Sequence, residues 1–351
     1  MTLSNPESNP EFEALLQYLK QVRGCDFTGY KRSTLQRRIN KRMEEVNIPN
    51  YNAYQDYLEV HPEEFIVLFN TILINVTSFF RDMQAWERLS HIVIPRILEQ
   101  TEPNEAIRIW TAGCSSGQEA LTIAILFAEQ MGLQAFREQV KIYATDIDEE
   151  ALGEARIACY APKQMENLPS ELLEKYFDLT EEGEYSFTKN LRRSIIFGRH
   201  NLVSDAPISR LNLLTCRNTL MYFNAETQAK ILARFHFGLK NNGFLFLGKS
   251  ETLLTNNVHF TPINLKQRIF MKVQNPNLRD HWWLLSQAEN RELPEHYSSM
   301  SNYVRLREAA FDASGIAQII LDLNGIVVLI NQEAQKLFNL ANRDVGHPFK
   351  D

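Results

Sequence analysis

Apolar residues recur three or four positions apart over the first hundred residues, the spacing that puts them on one face of an α-helix. The pattern is shown by Phe12, Leu15, Leu16 and Leu19, by Leu35, Ile39 and Met43, by Tyr54, Tyr57 and Leu58, and by Phe65, Leu68, Phe69 and Ile72. Asn50 and Pro62 lie between groups, as helix breakers do. The pattern predicts an all-helical N-terminal domain over residues 11–100, after a polar, disordered leader over residues 1–10.

Beyond about residue 101, short apolar runs alternate with helical segments. Strands are predicted at residues 107–112, 140–145, 194–197, 211–215 and 243–247, and helices at 118–131, 149–158 and 225–239. Such alternation is typical of an α/β domain with a parallel sheet covered on both faces. We expect this domain to span residues 101–273, with a small antiparallel β-subdomain around residues 176–197.

The last part of the chain has a different pattern. Residues 274–305 are polar and are interpreted as a linker, with a helix starting at about 301 and running to 313. Residues 306–351 predict a partial α+β segment with strands at 317–321 and 326–330 and a helix at 332–339. We expect this segment to expose apolar surface from Ile319, Ile320, Val327 and Val328, unless a partner or the main body covers it.

Composition narrows the class of protein. The chain has 351 residues, 44% of them hydrophobic, and a net charge of −6, which provides no overall basic field for nucleic acid. The four cysteines lie far apart without a CxxC pair, so neither a metal site nor a disulfide framework is expected, and a reducing, cytoplasmic location is favoured. The N-terminus has no secretory signal pattern, and the most apolar run, residues 120–128, is too short to span a bilayer. We therefore expect no membrane insertion.

Two features after consecutive strands point to an adenosine-containing ligand. Gly113 and Gly117 bracket a turn between the first strand and a helix, where backbone N–H groups can approach a ligand. The spacing is GxxxG rather than the GxGxxG of dinucleotide sites, and by itself it is equally typical of a tight turn. Asp146 ends the next strand, where a carboxylate can accept hydrogen bonds from ribose hydroxyls. Asp148 is the better helix cap of the two.

Two further segments carry candidate chemistry. Asn75-Val-Thr-Ser-Phe-Phe-Arg-Asp82 groups an amide, a hydroxyl and a guanidinium, and on a helix Thr77 and Arg81 would share a face. The alternative is a helix start capped by Thr77, with Arg81 in solvent. Cys216-Arg-Asn-Thr-Leu-Met-Tyr-Phe223 follows a predicted strand, at the edge where open sheets bind ligands. Tyr222 there could equally be a packing aromatic.

Together these motifs resemble those of the CheR-type chemoreceptor glutamate methyltransferases. The N-x-T-x-F-F-R-[DE] motif is complete at residues 75–82, and C-R-N-x-x-[IM]-Y-F matches residues 216–223. The loop Gly113-Cys-Ser-Ser-Gly-Gln-Glu-Ala120 departs from the family's G-C-S-[ST]-G-E-E-P at Gln118 and Ala120. These two departures bear on the affinity for the cofactor and not on the family assignment. The resemblance extends over about residues 12–273. It implies a helical domain followed by a Rossmann-like, adenosylmethionine-dependent methyltransferase domain.

The resemblance also implies an activity and a set of site residues. The activity is transfer of a methyl group from S-adenosylmethionine to glutamate carboxylates of chemoreceptors, with S-adenosylhomocysteine as product. Arg81 is the expected substrate-carboxylate clamp, because a guanidinium binds carboxylates through two donors, and Tyr222 is expected to position the reacting groups. The cofactor-binding residues expected from the motifs are Asn75, Thr77, Arg81, Gly113, Glu119, Asp146, Asn201, Leu202, Cys216, Arg217 and Asn218.

Residues 31–42 carry six positive charges on a predicted helix. A charge run is usually a solvated face. The functional alternative is docking to the acidic cytoplasmic helices of a chemoreceptor, with Arg38, Lys41 and Arg42 on the side opposite Leu35 and Ile39. The loop of the β-subdomain at residues 178–184 is short, which favours action without a receptor tail peptide.

Residues 306–334 resemble the start of a PAS sensory domain. Such a domain needs about 100 residues, so an incomplete domain of a longer, sensor-fused protein is expected; the alternative is an unrelated βαβ-like tail. The linker or this segment is a candidate for self-association. The main competing function is a catalytically weak signalling scaffold that binds adenosylmethionine. A nucleic-acid methyltransferase is disfavoured by the missing [DNS]-P-P-[YF] segment and the negative charge, and a NAD-linked enzyme by the missing GxGxxG.

Overall fold

The structure is a computed structural model that describes residues 9–23, 26–73, 75–102, 105–251, 260–273, 316–321, 327–338 and 340. The chain divides into two compact units, residues 1–273 and 274–351. Residues 1–8 of the predicted leader, the predicted linker and the predicted helix 301–313 lie outside the described residues. No helix in the described part is long and apolar enough to cross a membrane.

The first hundred residues form helices, as their apolar spacing predicts. The helices are α1 (Pro10–Arg23), α2 (Arg32–Glu45), α3 (Tyr51–Val60), α4 (Pro62–Ile72), α5 (Met83–Arg88) and α6 (Ile94–Gln100), with a π-helical turn at Leu89–Val93 between the last two. Asn50 begins α3 by accepting a hydrogen bond from the Ala53 N–H on its Oδ1 at 2.9 Å. Pro62 is the first residue of α4, where its fixed φ suits a helix start and its missing N–H costs no hydrogen bond.

The second part of this unit is an α/β domain, and the predicted fold class is confirmed. Its strands are β1 (Ile107–Ala112), β2 (Val140–Asp146), β3 (Cys159–Tyr160), β4 (Phe177–Leu179), β5 (Tyr185–Phe187), β6 (Ile195–Arg199), β7 (Leu211–Cys216), β8 (Leu239–Leu247), β9 (Phe260–Asn264) and β10 (Ile269–Lys272). Its helices are α7 (Gln118–Met131), α8 (Leu133–Gln139), α9 (Glu149–Ile157), α10 (Ser170–Tyr176), α11 (Lys189–Arg192) and α12 (Ala225–Gly238).

Seven strands form the main sheet in the order β6-β2-β1-β7-β8-β10-β9. The first five run parallel, as the alternation of strands and helices predicts, and β10, whose direction the pattern did not predict, is antiparallel to both of its neighbours. The short connection between β9 and β10 accounts for the antiparallel pairing of these two strands, since a parallel pair needs a long crossover. Strand β8 also begins earlier than predicted, at Leu239, because a register shift in its pairing with β7 accommodates the polar residues that follow.

The sheet separates two hydrophobic cores. Ile109 of β1 belongs to the core that also contains helix α7, whereas Ala112 of the same strand belongs to the other core. That second core includes Leu35 and Ile39 of α2 and Phe235 of α12. Helices α1 to α4 therefore pack on one face of the sheet through this second core, whereas α5 and α6 belong to the first core. Helix α2 lies close to the sheet edge that carries the candidate site, since the Lys31 N–H donates to the Tyr222 carbonyl.

A small antiparallel sheet in the order β3-β5-β4 forms the predicted β-subdomain. Its first strand, Cys159–Tyr160, lies before the predicted range. The turn between β4 and β5 is closed by a hydrogen bond from the Thr180 N–H to the Glu184 carbonyl at 2.8 Å, with Gly183 at φ +83°.

The second unit contains a β-hairpin and a helix. Strands β11 (Ile319–Leu321) and β12 (Val327–Ile330) pair antiparallel, and α13 (Gln332–Phe338) follows. Asn331, which has no exposed surface, starts the helix by accepting the Ala334 N–H at 2.9 Å. Val327 is only 3% exposed, so the expectation that it contributes exposed apolar surface was wrong; it packs with Ile330 and Ala334. The side chains of Ile320 and Val328 lie outside the described residues.

Candidate active site at the edge of the sheet

The polar residues after parallel strands β1, β2 and β7 meet at one edge of the sheet, where they line a cavity of about 240 Å³. The predicted catalytic residue Tyr222 lines it, as do ten of the predicted cofactor-binding residues: Asn75, Thr77, Arg81, Gly113, Glu119, Asp146, Asn201, Leu202, Arg217 and Asn218. Cys216 does not line it and is fully buried. Its side chain packs instead in the hydrophobic core that contains Leu214 and Leu220.

The glycine turn after β1 is shaped by its neighbours. The N–H groups of Gly113 and Cys114 donate to the Thr145 carbonyl at 2.8 and 3.0 Å, which ties the turn to the end of β2. Gly113 has φ +78°, and a β-carbon there would collide with the Thr219 side chain. Only glycine therefore allows the turn and the loop after β7 to approach this closely.

Asp146 is held at the cavity wall by backbone donors. Its Oδ2 accepts the Ser115 N–H at 2.7 Å and its Oδ1 accepts the Asp148 N–H at 3.1 Å. Burial raises the pKa of Asp146, and these backbone hydrogen bonds oppose the rise. Each carboxylate oxygen retains a second lone pair for a ligand hydroxyl. Asp148 caps α9 through the N–H groups of Glu150 and Ala151, as its position in the sequence predicts.

Glu119 lies in the first turn of α7 and also lines the cavity. Its Oε1 accepts the Thr215 hydroxyl at 2.7 Å, and its Oε2 lies 3.6 Å from the Arg217 guanidinium. Burial raises the pKa of Glu119, although the charge of Arg217 counteracts part of the rise. The cavity wall thus contains two half-buried carboxylates, Glu119 and Asp146.

The segment with Thr77 and Arg81 is not helical, so the expected shared helix face was wrong, as was the alternative with Thr77 as a cap. Residues 75–78 have no regular structure, and α5 begins only at Met83, after Asp82 in the left-handed region at φ +67°. Phe79 and Phe80 are buried, and their burial fixes the chain in a turn rather than a helix.

Hydrogen bonds hold this segment against the sheet edge. The side-chain amide of Asn75 donates to Asp148 Oδ2 at 2.5 Å, and the backbone carbonyl of Asn75 accepts the Ser115 hydroxyl at 3.2 Å. Arg81 donates from a guanidinium nitrogen to the Val76 carbonyl at 2.9 Å. A guanidinium has five N–H groups, so this single contact leaves Arg81 able to bind a carboxylate in the cavity.

Arg217 is a buried cation in the cavity wall. Its side chain is 2% exposed and packs against the rings of Trp86 and Phe246, with the guanidinium carbon 4.9 and 4.8 Å from their centroids. It donates to the Arg81 carbonyl at 3.0 Å and to Asp82 Oδ2 at 2.9 Å. Burial alone would raise the pKa of Asp82, but hydrogen bonding by Lys249 and the charge of Arg217 hold it below its usual value.

Glu251 is a site-forming residue that the motifs did not reveal. Its carboxylate is 3% exposed and accepts four backbone N–H groups at 2.6 to 3.0 Å, those of Asn218, Thr219, Leu220 and Gly248. It therefore fixes the loop that carries Asn218 and leads to Tyr222. Burial raises its pKa. No sequence motif marked it, because it lies beyond the end of β8 and its backbone donors come from two separate loops.

The three residues predicted to dock the substrate do not form one exposed face. Arg38 is only 7% exposed and lies on the buried stripe of α2, with its guanidinium carbon 4.7 Å from the centroid of the Tyr222 ring. Arg42 is committed to a bidentate pair with buried Glu64, at 2.7 and 2.6 Å. Lys41, whose side chain is 71% exposed, is the only one of the three that lies in solvent.

Within the described residues, no group of three or more His, Cys, Asp or Glu side chains could hold a metal ion.

Comparison with known proteins identifies the family. The model of the CheR methyltransferase SAM-binding domain matches residues 75–269, and that of the CheR all-alpha domain matches residues 10–73. A chemotaxis protein methyltransferase of Borreliella burgdorferi is 31% identical over 70% of this chain and 89% of its own length. One of Listeria monocytogenes is 32% identical over 71% of this chain and 92% of its own length.

A third relative is much longer. An uncharacterised 104.1 kDa protein of Rhodobacter capsulatus is 37% identical over 71% of this chain, and the match spans 26% of that protein. The order of the two matched domains agrees with the helical and α/β parts of the structure. The chain belongs to the CheR family of S-adenosylmethionine-dependent methyltransferases.

Proposed function

We propose that this protein transfers a methyl group from S-adenosylmethionine to glutamate side chains of chemoreceptors and forms glutamate methyl esters. The observation that carries the proposal is the cavity in which Arg81 and Tyr222 line the same space as the cofactor candidates Glu119 and Asp146. The names of the relatives support chemotaxis as the setting.

The residues at the sheet edge fit the cofactor. Asp146 would accept hydrogen bonds from the ribose hydroxyls, since each of its oxygens has a lone pair left after its backbone contact. Glu119 and Asp146 supply negative charge that suits a ligand with a sulfonium and an ammonium group. Asn201 and Leu202 lie on the cavity wall where the resemblance places the adenine. Gly113 keeps the wall thin where the amino-acid part of the ligand would lie.

Arg81 would hold the acceptor. A glutamate carboxylate has a pKa of about 4.3 and is ionised at neutral pH, so it needs no general base before it acts as a nucleophile. A guanidinium binds a carboxylate through two parallel hydrogen bonds and so fixes its orientation as well as its position. The Arg81 carbonyl accepts hydrogen bonds from Trp86 and Arg217, at 2.8 and 3.0 Å, which fixes the backbone from which the side chain extends.

Tyr222, which lines the same cavity, would position the reacting groups. The bound cofactor supplies an electrophilic methyl group. With the cofactor bound, Arg81 and Tyr222 would orient a carboxylate oxygen toward the methyl carbon, so that transfer would break the carbon–sulfur bond, leave the bonding pair on sulfur and need no proton transfer. The contribution of the protein is therefore mainly proximity and orientation.

The exposed part of α2 would dock the acidic receptor helix. Arg37 and Lys41 of α2, and Lys31 just before it, are exposed and would contact the receptor. They replace the predicted docking set because Arg38 and Arg42 are bound within the protein. The short turn between β4 and β5 supports action without a receptor tail peptide.

The test is transfer of labelled methyl from adenosylmethionine to purified cytoplasmic fragments of chemoreceptors. We expect label on the receptor that mild alkali releases as methanol, as a carboxyl ester requires. A receptor fragment with glutamine at its acceptor positions is the control. Alkali-stable label would place the methyl on another group, and absence of label with cofactor bound would favour the scaffold alternative.

A further inference from the structure

Arg38 has an unusual environment for a cation. Only 7% of the residue is exposed, in the same buried stripe as Leu35 and Ile39. Removing a charge from water is costly unless a partner compensates it. Within the described residues, Arg38 forms no salt bridge with a carboxylate, and its Nε has no hydrogen-bond partner. This contrasts with Arg42, one turn later, which is paired with Glu64.

Two contacts compensate the charge in part, and both lead to the candidate site. A guanidinium nitrogen donates to the carbonyl of Ile72, the last residue of α4, where the helix dipole favours a cation. The guanidinium carbon lies 4.7 Å from the centroid of the Tyr222 ring, within the range of about 6 Å for an attractive cation–π contact. Ile72 closely precedes the segment that contains Asn75 and Arg81.

The backbone around Tyr222 is attached to the same helix. The N–H of Lys31, which precedes α2, donates to the Tyr222 carbonyl at 2.9 Å. The rings of Tyr30 and Phe223 lie 4.7 Å apart, and these residues form a β-bridge. The backbone of residue 222 is thus fixed from one end of α2, and its ring is contacted from the middle of the same helix by Arg38.

We propose that Arg38 is a positioning residue that acts through Tyr222, rather than a residue that binds the receptor. Its guanidinium covers one face of the ring and limits the rotation of the phenol, so the hydroxyl stays directed into the cavity. Because Arg38 also contacts the end of α4, it connects both walls of the cavity to the helical domain. The inference rests on the proposed methyl transfer only for its kinetic consequences, since ring placement can be measured in the absence of any acceptor.

The first experiment measures the ring directly. The full chain is labelled with 3-fluorotyrosine, and the Tyr222 resonance is assigned by its loss in Tyr222→Phe. In Arg38→Met, which keeps the volume but removes the charge, we expect the Tyr222 resonance to shift and narrow toward a mobile ring. Arg137→Met makes the same chemical change at an exposed position on α8, which follows the end of α7 remote from the cavity, and should leave the resonance unchanged. An unchanged resonance in a folded Arg38→Met protein would overturn the proposal.

The second experiment separates positioning from docking. We expect Arg38→Met to lower kcat, by up to about 100-fold if the hydroxyl is displaced by about 1 Å, with KM for the receptor fragment little changed. In a Tyr222→Phe background the same substitution should cost much less, since the group it positions is already gone. A raised KM with unchanged kcat, or equal losses in both backgrounds, would contradict the proposal and assign Arg38 to receptor binding.

A further variant keeps the proposal testable if Arg38→Met does not fold, which thermal unfolding would reveal. Arg38→Lys, which keeps the charge, then replaces it. A kcat between those of wild type and Tyr222→Phe is expected, together with a Tyr222 resonance displaced from its wild-type position, and wild-type values for both would overturn the proposal. If the wild-type protein transfers no methyl group at all, the proposed function fails, while the fluorine resonance still decides whether Arg38 holds Tyr222.

Discussion

The sheet edge and helix α2 both carry charged residues that the sequence predicts to be functional. Those at the sheet edge line the cavity, whereas two of the three on α2 are engaged within the protein. At the sheet edge, Asp146 and Glu119 lie in the cavity where their positions after strands place them. On α2, Arg38 lies in the core and Arg42 is paired with Glu64. The end of a parallel strand has one possible location, whereas a helical residue can face any direction, and a long side chain can reach across a buried stripe.

We therefore expect substitutions in the two regions to have different effects. Substitutions at the sheet edge should change chemistry or cofactor affinity, and those on α2 should divide among catalysis, stability and docking according to burial.

The largest effect is expected at Arg81. Arg81→Ala removes the carboxylate clamp, and we expect methyl transfer to fall by roughly 100- to 1000-fold, as when one preorganised donor is lost. Adenosylmethionine should still bind measurably by calorimetry. Arg88→Ala, on the exposed side of α5, is the matched control. Unchanged turnover in Arg81→Ala would remove this residue from the mechanism.

A loss of cofactor affinity is expected at Asp146. Asp146→Asn keeps the shape but weakens the hydrogen bonds to the ribose, and we expect affinity to fall by roughly 10- to 100-fold, since bonds to a charged group contribute about 1.5–3 kcal/mol. Calorimetry gives the affinity, and Asp178→Asn, at an exposed position of β4, serves as control. Wild-type affinity in Asp146→Asn would place the ribose elsewhere.

Cofactor affinity should also depend on pH. Burial raises the pKa of both Glu119 and Asp146, so these carboxyls take up protons at higher pH than exposed ones. The ionised forms bind the ligand, hence affinity should fall as the pH is lowered from 7 toward 5, by at most about tenfold per pH unit for each proton taken up. Asp146→Asn should flatten the dependence. A flat profile in the wild type would contradict the assignment.

A stability effect is expected from the Arg42–Glu64 pair. Glu64→Gln leaves Arg42 without its charge partner and should lower the free energy of unfolding by about 1–3 kcal/mol, measured by urea titration. Burial alone would raise the pKa of Glu64, but hydrogen bonds from Arg42 and Tyr54 outweigh it and the pKa is lowered.

The sign of that shift fixes the pH dependence of this pair. The stabilisation is present above the unfolded-state pKa of about 4.3 and disappears as the pH falls through the lower folded-state pKa. The difference between wild type and Glu64→Gln should therefore shrink below that range. A raised KM for the receptor without loss of stability would instead indicate that the pair serves docking.

The smallest effects are expected on the exposed part of α2. Charge reversal at Arg37 or Lys41 should raise KM for the receptor fragment by about 2- to 5-fold each, the range of single exposed ion pairs, and the effect should weaken with added salt. Cofactor affinity should stay at the wild-type value. A KM within error of wild type for the double reversal would exclude this part of α2 as the docking surface.

Much of the fold could be predicted because its patterns are local. The helical spacing of the N-terminal residues and the alternation of strands and helices depend on neighbours along the chain, and the predicted family is confirmed by both matched domains. The antiparallel direction of β10 was missed because an apolar run carries no direction.

The candidate site was predictable only where residue type and strand end coincide. Glu251 was missed because four backbone donors that converge on one carboxylate leave no motif in the sequence. The turn at residues 79–82 was missed because it is imposed by burial of two phenylalanines rather than by turn residues. The burial of Arg38 could have been inferred, since it lies three positions after Leu35 on the same stripe.

The most direct test of the central claim is to locate the methyl group by peptide mass spectrometry after incubation of the protein, adenosylmethionine and a chemoreceptor cytoplasmic fragment. We expect specific glutamates to gain the mass of one methyl ester, which is lost after mild alkali and absent when Arg81→Ala replaces the wild type. Methyl groups found on other residues, or on glutamate at an undiminished level with Arg81→Ala, would contradict it.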